Sequence, residues 1–233
     1  MKASLIFSAI ALIALTACNS DSITGSGYIT NEMRTTTAFQ NIDIAGTVDV
    51  VITQGAKQSV HVETDDNLQS SITTNAYNKA LKIRQDGGGY TRATVYITTP
   101  TLSSVTTQTT GTVTIASGFT TESFLLTTGS SGSVAVHNIN AGSITAEVKG
   151  PGSVTISGIT ESFNCQHNGQ GIVHAFDLVS AEAAVAVFNS GSVELTVTNK
   201  LFADILGSGN ILYKGSPDVV ATRKGSGTVA KQS

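Results

Sequence analysis

The chain has 233 residues, enough for one domain of ordinary size with a substantial core. Charged residues make up 12% where about 25% is usual, and 40% of the residues are hydrophobic, so charge repulsion cannot keep this chain unfolded. Lys and Arg number 13 against 16 Asp and Glu, which argues against a nucleic-acid partner because no excess of cations is available to neutralise phosphates. The 23 glycines and only three prolines favour many short strands with frequent turns.

The N-terminus has the pattern of a bacterial lipoprotein signal. Met1 and Lys2 precede a mostly apolar run over residues 3–15, which is too short to span a bilayer. The run ends in Leu-Thr-Ala-Cys, which resembles a lipobox, so we expect a signal peptide over residues 1–17 and a lipid on Cys18. The alternative is an ordinary secretory signal with an unrelated cysteine nearby. Asn19 replaces the aspartate that retains lipoproteins in the inner membrane of enteric-type bacteria, which favours the outer membrane.

Residues 18–37 are polar and rich in Ser, Thr and Asn, which predicts a lipidated flexible tether followed by one domain over residues 38–233. With Cys18 lipidated, Cys165 has no partner in the chain, and no disulfide is expected. The predicted partner of the N-terminus is therefore the membrane, through the lipid.

An internal repeat organises the second half of the chain. Glycines followed two residues later by Val or Ile recur at intervals of 18 to 21 residues. These glycines are Gly111, Gly132, Gly152, Gly171, Gly191, Gly209 and Gly227. The positions two after, eight before and six before each glycine are mostly apolar, while the neighbours of the first are mostly polar or small, which is the alternation of half-buried strands.

Repeats of this length, with short strands and glycine corners, predict an all-β fold: a right-handed parallel β-helix, or solenoid, with coils of about 20 residues. An antiparallel sandwich is the alternative, but it would not require one fixed period. Gly and Asn occupy five of the seven positions that lie two residues before a repeat glycine, which predicts corners with positive φ. No helix follows these glycines that would make them phosphate-binding loops. Residues 38–110 are less regular and predict wider first coils, with a short helix or turn over residues 66–74.

The blocks of the sequence resemble the putative auto-transporter adhesin, head GIN domain family. They are Phe-Gln-Asn-Ile at 39–42, the segment at 46–55, the segment from Val-His-Val-Glu to Asn-Leu at 60–68, Leu-Lys-Ile at 81–83, Pro-Thr-Leu at 100–102 and the repeated glycine corners, together spanning about 38–229. The resemblance implies a β-helical, secreted or lipid-anchored protein of the bacterial envelope and implies no reaction. Thr109-Thr110 and Ser130-Ser131 depart from the family's Gly-Ser-Gly corner.

Residues able to perform chemistry are few. His174 and Glu194 fall in one outward column of adjacent coils, so they form either an exposed cross-strand pair or a weak surface site. Asp65 and Asp66 form the only acidic cluster, interpreted as a solvated turn or, less favourably, as calcium ligands. His167 and Cys165 fall in apolar columns and are expected in the core. Neither a catalytic set, a resident metal nor a cofactor is predicted.

The hypothesis about function rests on the lack of acidic and basic residues that could converge on one catalytic site. The preferred hypothesis is a non-catalytic, lipid-anchored envelope protein that presents a β-helical surface to a protein or polysaccharide ligand. The alternatives are a carbohydrate-active β-helix enzyme of the lyase or hydrolase type, which needs paired carboxylates, and a structural or stress-related envelope component. Strong lectin behaviour is not expected, because Trp is absent and the tyrosines that could present a ring to a sugar are only Tyr77, Tyr90, Tyr96 and Tyr213.

Overall fold

The computed structural model describes residues 24–85 and 93–232. Within them lie seventeen strands and one 3-10 helix. The strands before the 3-10 helix (Asp66–Ser71) are β1 (Ile29–Arg34), β2 (Asn41–Gly46), β3 (Asp49–Gln54) and β4 (Ser59–Asp65). Those after it are β5 (Ile72–Tyr77), β6 (Ala80–Gln85), β7 (Thr94–Thr99), β8 (Ser104–Thr109), β9 (Val113–Ile115), β10 (Thr120–Thr128), β11 (Val134–Val148), β12 (Val154–His167), β13 (Ile172–Val187), β14 (Ser192–Ile205), β15 (Ile211–Gly215), β16 (Asp218–Arg223) and β17 (Val229–Lys231).

The strands stack into a β-solenoid of about six turns, which confirms the predicted all-β fold of stacked parallel coils. Face A contains, in order, β1, β4, β7, β3, β9, the first halves of β11 to β14, β15 and β17. Face B contains β5, β6, β2, β8, β10, the second halves of β11 to β14, and β16. The long strands β11 to β14 bend from one face to the other where their register shifts.

The inward columns of the two faces form the core. The column predicted two residues after each glycine is stacked in register and buried over Val113, Val134, Val154, Val173, Val193 and Ile211. On face B, Phe124, Ile144, Phe163, Ala183 and Leu201 form a second buried column. Burying a side chain such as Phe163 contributes about 1.5–3 kcal/mol, so the repeated apolar columns are the main source of stability.

The first coils are stacked in a different order from the chain. Strands β2 and β3 lie between β6 and β7 on one side and β8 and β9 on the other, so later strands flank earlier ones on both sides. Three antiparallel pairings, β1 with β4, β4 with β7, and β5 with β6, close this end of the solenoid. The 3-10 helix covers the first six residues of the helix or turn predicted over residues 66–74, and the last three belong to β5. The helix buries Leu68 and Gln69 beneath β1.

One part of the predicted tether is wrong. Strand β1 lies inside residues 18–37, yet all six of its residues pair with β4, and Arg34 donates hydrogen bonds to the backbone and side chain of Gln69. Its inward residues, Thr30 and Arg34, are polar, so the apolar alternation that marks the other strands is missing here. Residues 18–23 lie outside the described residues.

The reason for the corner glycines also differs from the prediction. The prediction of positive φ two residues before the repeat glycines is wrong, since none of Gly150, Gly169, Asn189, Gly207 and Gly225 has it. The repeat glycines do not have it either; among the described residues the glycines with positive φ are Gly27, Gly46, Gly118, Gly158 and Gly215. A Cβ at Gly152 would instead overlap the carbonyl oxygen of Gly132 in the coil below, and Gly171 stands in the same relation to Gly152. The corners therefore require glycine because successive backbones approach too closely for a side chain.

Candidate functional site

His174 and Glu194 meet across adjacent coils of face A. Their Cα positions are paired in the ladder, and His174 Nδ1 lies 2.7 Å from Glu194 Oε2. The column continues as Thr155 below and Leu212 above, so no second carboxylate stands next to this pair. Both side chains are partly exposed, and pairs of this kind contribute about 0.2–1 kcal/mol. The geometry provides a hydrogen-bonded pair between adjacent coils and no second carboxylate beside it in the described coils.

Asp65 and Asp66 lie close together but are not a solvated turn. Asp65 is buried, and its Oδ1 accepts a hydrogen bond of 2.5 Å from the Gly27 backbone N–H. Asp66 Oδ1 accepts hydrogen bonds from Ser26 Oγ and from the Asn67 backbone. The prediction of a solvated turn is therefore wrong for Asp65, because residues that precede it by about forty positions return to cover it. Within residues 24–85 and 93–232, no cluster of three His, Cys, Asp or Glu could hold a metal ion.

His167 is a buried part of a corner. Its Nδ1 accepts a hydrogen bond of 3.2 Å from the Gly169 N–H, and its Nε2 lies 2.9 Å from the Gly171 carbonyl oxygen, to which it donates. This arrangement needs the neutral ring with its proton on Nε2. Burial lowers the pKa of His167, and the bond to the Gly171 carbonyl opposes that shift in part. His167 thus forms hydrogen bonds with the backbone of Gly169 and Gly171. The equivalent positions in the adjacent coils are the apolar residues Val148 and Val187.

Cys165 lies in the inward column of face B, between Ala146 and Val185. Burial raises the pKa of its thiol to about 12, so the thiol stays protonated and is a poor nucleophile. Cys18 lies outside the described residues. The tyrosines are not brought together: Tyr77 is exposed on β5, Tyr96 is exposed on face A and donates to Glu63 at 3.3 Å, Tyr213 is half-buried, and Tyr90 lies outside the described residues.

Sequence reasoning missed an exposed apolar cluster on the C-terminal coils of face B. Phe202 and Val220 are paired neighbours in one outward column and are 43% and 47% exposed. Phe188 and Leu206 follow the ends of β13 and β14 and are about 40% exposed. The alternation that places Leu201 inward also places Phe202 outward. The exposed position of Phe202 could therefore have been predicted from the outward columns of the repeat.

Beside this cluster, a trough runs across face B along β13. Its floor is Ala184 and Ala186, whose outward neighbours in the coil below are Asn164 and Gln166, and in the coil above Phe202 and Asp204. The depression has a volume of about 160 Å³. A second depression of about 250 Å³ shares Asp204 and continues to Leu206, Thr222 and Lys224.

The trough exists because two small side chains lie between rows of larger ones. Adjacent strands are about 4.8 Å apart, so the two walls stand about 9.6 Å apart at the backbone. In the described part of the chain, no hydrogen bond or ion pair uses the side chains of Asn164, Gln166 or Asp204. Lys200 Nζ lies 4.7 Å from the centre of the Phe202 ring, a cation–π contact. The walls thus present free amide groups on one side and a free carboxylate with an aromatic ring on the other.

The stacked coils, with an exposed sheet face that carries free polar groups, define the chain as a β-solenoid protein. The chain belongs to the family described as putative auto-transporter adhesin, head GIN domain, whose profile matches residues 38–217. The family resemblance predicted from the sequence blocks is thereby confirmed. Strand β1 precedes the matched region.

Solved structures share this fold. A putative adhesin from Bacteroides fragilis is 22% identical, with a TM-score of 0.86. A putative lipid-binding protein and a putative adhesin, both from Parabacteroides distasonis, are 21% and 22% identical with TM-scores of 0.76 and 0.72. Each alignment covers 91% of this chain and 100% of the other. At these identities the likeness establishes the fold alone. The search of curated proteins returned no significant match.

Proposed function

We propose that this protein is a non-catalytic, lipid-anchored component of the bacterial cell envelope that binds a ligand at the envelope surface through face B of its C-terminal coils. The observation that carries the proposal is the exposed cluster of Phe188, Phe202, Leu206 and Val220 beside a trough whose polar walls have no partner in the described chain. Phe202 with Val220 and Phe188 with Leu206 are two exposed apolar pairs with Asp204 and Thr222 between them, and exposed apolar surface rimmed by polar groups is typical of interaction surfaces.

The position of the trough supports presentation away from the membrane. The described chain begins at the β1 end, where the Asn67 side chain donates to the Thr24 carbonyl oxygen and its Oδ1 accepts from the Ser26 N–H. The trough lies on β13, seven strand spacings above β5 on the same face, a height of about 34 Å. A lipid on Cys18 would be attached only six residues before Thr24, which links the anchor to the opposite end of the solenoid from the trough. No helix among the described residues has the length and apolar character needed to cross a membrane.

The anchor is tested by expressing the full chain in a Gram-negative bacterium with an alkyne analogue of palmitate. We expect labelling of the protein and its recovery in the outer-membrane fraction, both lost in Cys18→Ser. Two or three acyl chains hold a protein firmly at a membrane, whereas one is marginal. Label on the Cys18→Ser protein, or an unlabelled wild type, contradicts the lipid anchor.

The binding surface is tested with the same cells on surfaces coated with polysaccharides or matrix proteins. Replacing Phe202, Leu206 and Val220 together by serine should abolish the adhesion that the wild type confers. Ile172→Ser is the matched control, because Ile172 is 40% exposed but starts the face A half of β13. Equal loss in both variants, or no loss in the triple variant, argues against binding by face B.

A further inference from the structure

The trough has a chemistry that selects one class of ligand. We infer that it binds a neutral polysaccharide chain, laid along β13 between the two walls; this inference rests on the proposed function of face B. The trough is defined by its floor, Ala184 and Ala186, its amide wall, Asn164 and Gln166, and its aromatic wall, Phe202 and Asp204.

The walls suit sugar hydroxyls. The amides of Asn164 and Gln166 each offer donors and acceptors, and the Asp204 carboxylate offers acceptors only, so together they can satisfy hydroxyl groups that act in both roles. Specific sites are generally an apolar surface with a few placed polar groups. The Phe202 ring supplies the apolar part, because the C–H face of a pyranose ring packs against an aromatic face that is electron-rich.

The shape favours a polymer over an isolated small molecule. At about 160 Å³ the trough is smaller than the roughly 300–1,000 Å³ of ordinary small-molecule pockets, and it is open. Along β13 the floor of the depression is short, because its lining on this strand spans only residues 184–186, about 7 Å. Asp204 also lines the adjoining depression near Lys224, so a long ligand can continue beyond the aromatic wall.

Charge and backbone pairing exclude two other ligand classes. The Asp204 carboxylate lies in the wall without an ion pair in the described part of the chain, Glu182 is paired in the ladder with Lys200, and Lys224 lines the adjoining depression. The described residues of the trough therefore carry no excess of positive charge, which disfavours polysaccharides rich in carboxylate or sulfate groups. An extended peptide commonly binds by adding a strand to a sheet edge. Strand β13 is paired on both sides, to β12 and β14, so its backbone is not available for that mode.

The experiment uses the purified full-length protein in detergent micelles against immobilised neutral glucans and mannans, alginate, and gelatin. Ala184→Leu with Ala186→Leu should fill the trough and weaken binding to a neutral glycan at least about tenfold, a loss of 1.4 kcal/mol or more. Phe202→Ala should weaken it by a similar factor. The matched control is Thr145→Leu, which changes the same outward column two coils below the floor residue Ala184, outside the trough, and should bind as the wild type does.

The outcomes separate this inference from the proposed function. Binding of neutral glycans that the filled-trough variant loses and the control keeps supports the inference. Binding to gelatin alone, or to alginate alone, overturns the inference while leaving a binding function for face B. Retention of full glycan affinity in the filled-trough variant also overturns it. If cells carrying the protein adhere to none of the coated surfaces, the proposed function fails as well. Melting temperatures of all variants within about 2 °C of the wild type would show that the changes act on binding and not on folding.

Discussion

The corner glycines give the most direct test of how the coils are stacked. Gly152 lies in the middle of the solenoid, and a Cβ there would overlap the Gly132 carbonyl oxygen and come within 2.9 Å of the Ser130 carbonyl oxygen. Both atoms belong to the backbone of the coil below and cannot rotate away. Gly152→Ala should therefore force the two coils apart at this corner.

The magnitude follows from three contributions. Overpacking in a well-packed site costs about 1–3 kcal/mol. Separation of the coils also weakens the 3.1 Å hydrogen bond from the Gly152 N–H to the Ser130 carbonyl, which contributes about 0.5–1.5 kcal/mol. Replacing glycine by alanine also lowers the conformational entropy of the unfolded chain, which stabilises the folded state by about 0.4–1 kcal/mol. We expect a net loss of about 2–3 kcal/mol, or about 4–12 °C in melting temperature for a domain of this size.

The matched control is Gly129→Ala. A Cβ at Gly129 would lie 3.5 Å from Gln108 Cγ, an ordinary contact, and its φ is not positive, so this substitution should leave stability unchanged or raise it by up to about 1 kcal/mol. Thermal melts followed by far-UV circular dichroism, supported by urea titration, measure both variants. Equal stabilities of Gly152→Ala and Gly129→Ala would refute the explanation of the corners by close backbone approach.

Three further predictions concern buried polar groups. Burial lowers the pKa of His167, so the folded state binds a proton there less readily than the unfolded chain does. The free energy of unfolding is therefore highest above about pH 6.5 and falls as the pH drops below that value, by up to about 1.4 kcal/mol per pH unit. Urea midpoints between pH 7.5 and 5.5 should therefore fall less steeply in His167→Val, and equal slopes would contradict this role. The Cys165 thiol, with a pKa of about 12 and no exposure to solvent, should react with a maleimide only in denaturant, and rapid labelling of the native Cys18→Ser protein would be inconsistent with the fold. Asp65→Ala should release residues 24–28 and speed chymotrypsin cleavage after Tyr28, whereas Asp65→Asn keeps an acceptor for the Gly27 N–H and should remain protected; similar rates in the two variants would exclude the hydrogen bond as the cause.

The repeat could be predicted from the sequence because each coil obeys the same local rule. An apolar side chain two residues after a glycine is buried in every coil from Val113 to Ile211, so the period and the inward columns are both visible in one chain. Register follows from the period, and this is why His174 and Glu194 could be expected side by side. What each contact contributes to function does not follow from register.

The N-terminal end could not be predicted in the same way. Strand β1 pairs its residues with β4 more than twenty positions later, and its inward side chains bind polar groups of Gln69 instead of an apolar core. Asp65 is buried by Gly27 and its neighbours, a long-range contact for which the local pattern holds no signal. Strands β6 and β7 are inserted below β2 and β3, so stacking in chain order fails where the repeat is irregular.

The trough illustrates why a binding surface on a solenoid escapes a search for motifs. The backbone ladder and the inward columns fix the shape of every coil, so outward positions are free to differ from one coil to the next. A depression arises wherever small outward residues are stacked between larger ones, as Ala184 is between Asn164 and Phe202. No single coil contains this site, because its walls come from residues 20 and 18 positions away on either side of its floor. The site therefore exists only in the combined outward columns of three successive coils.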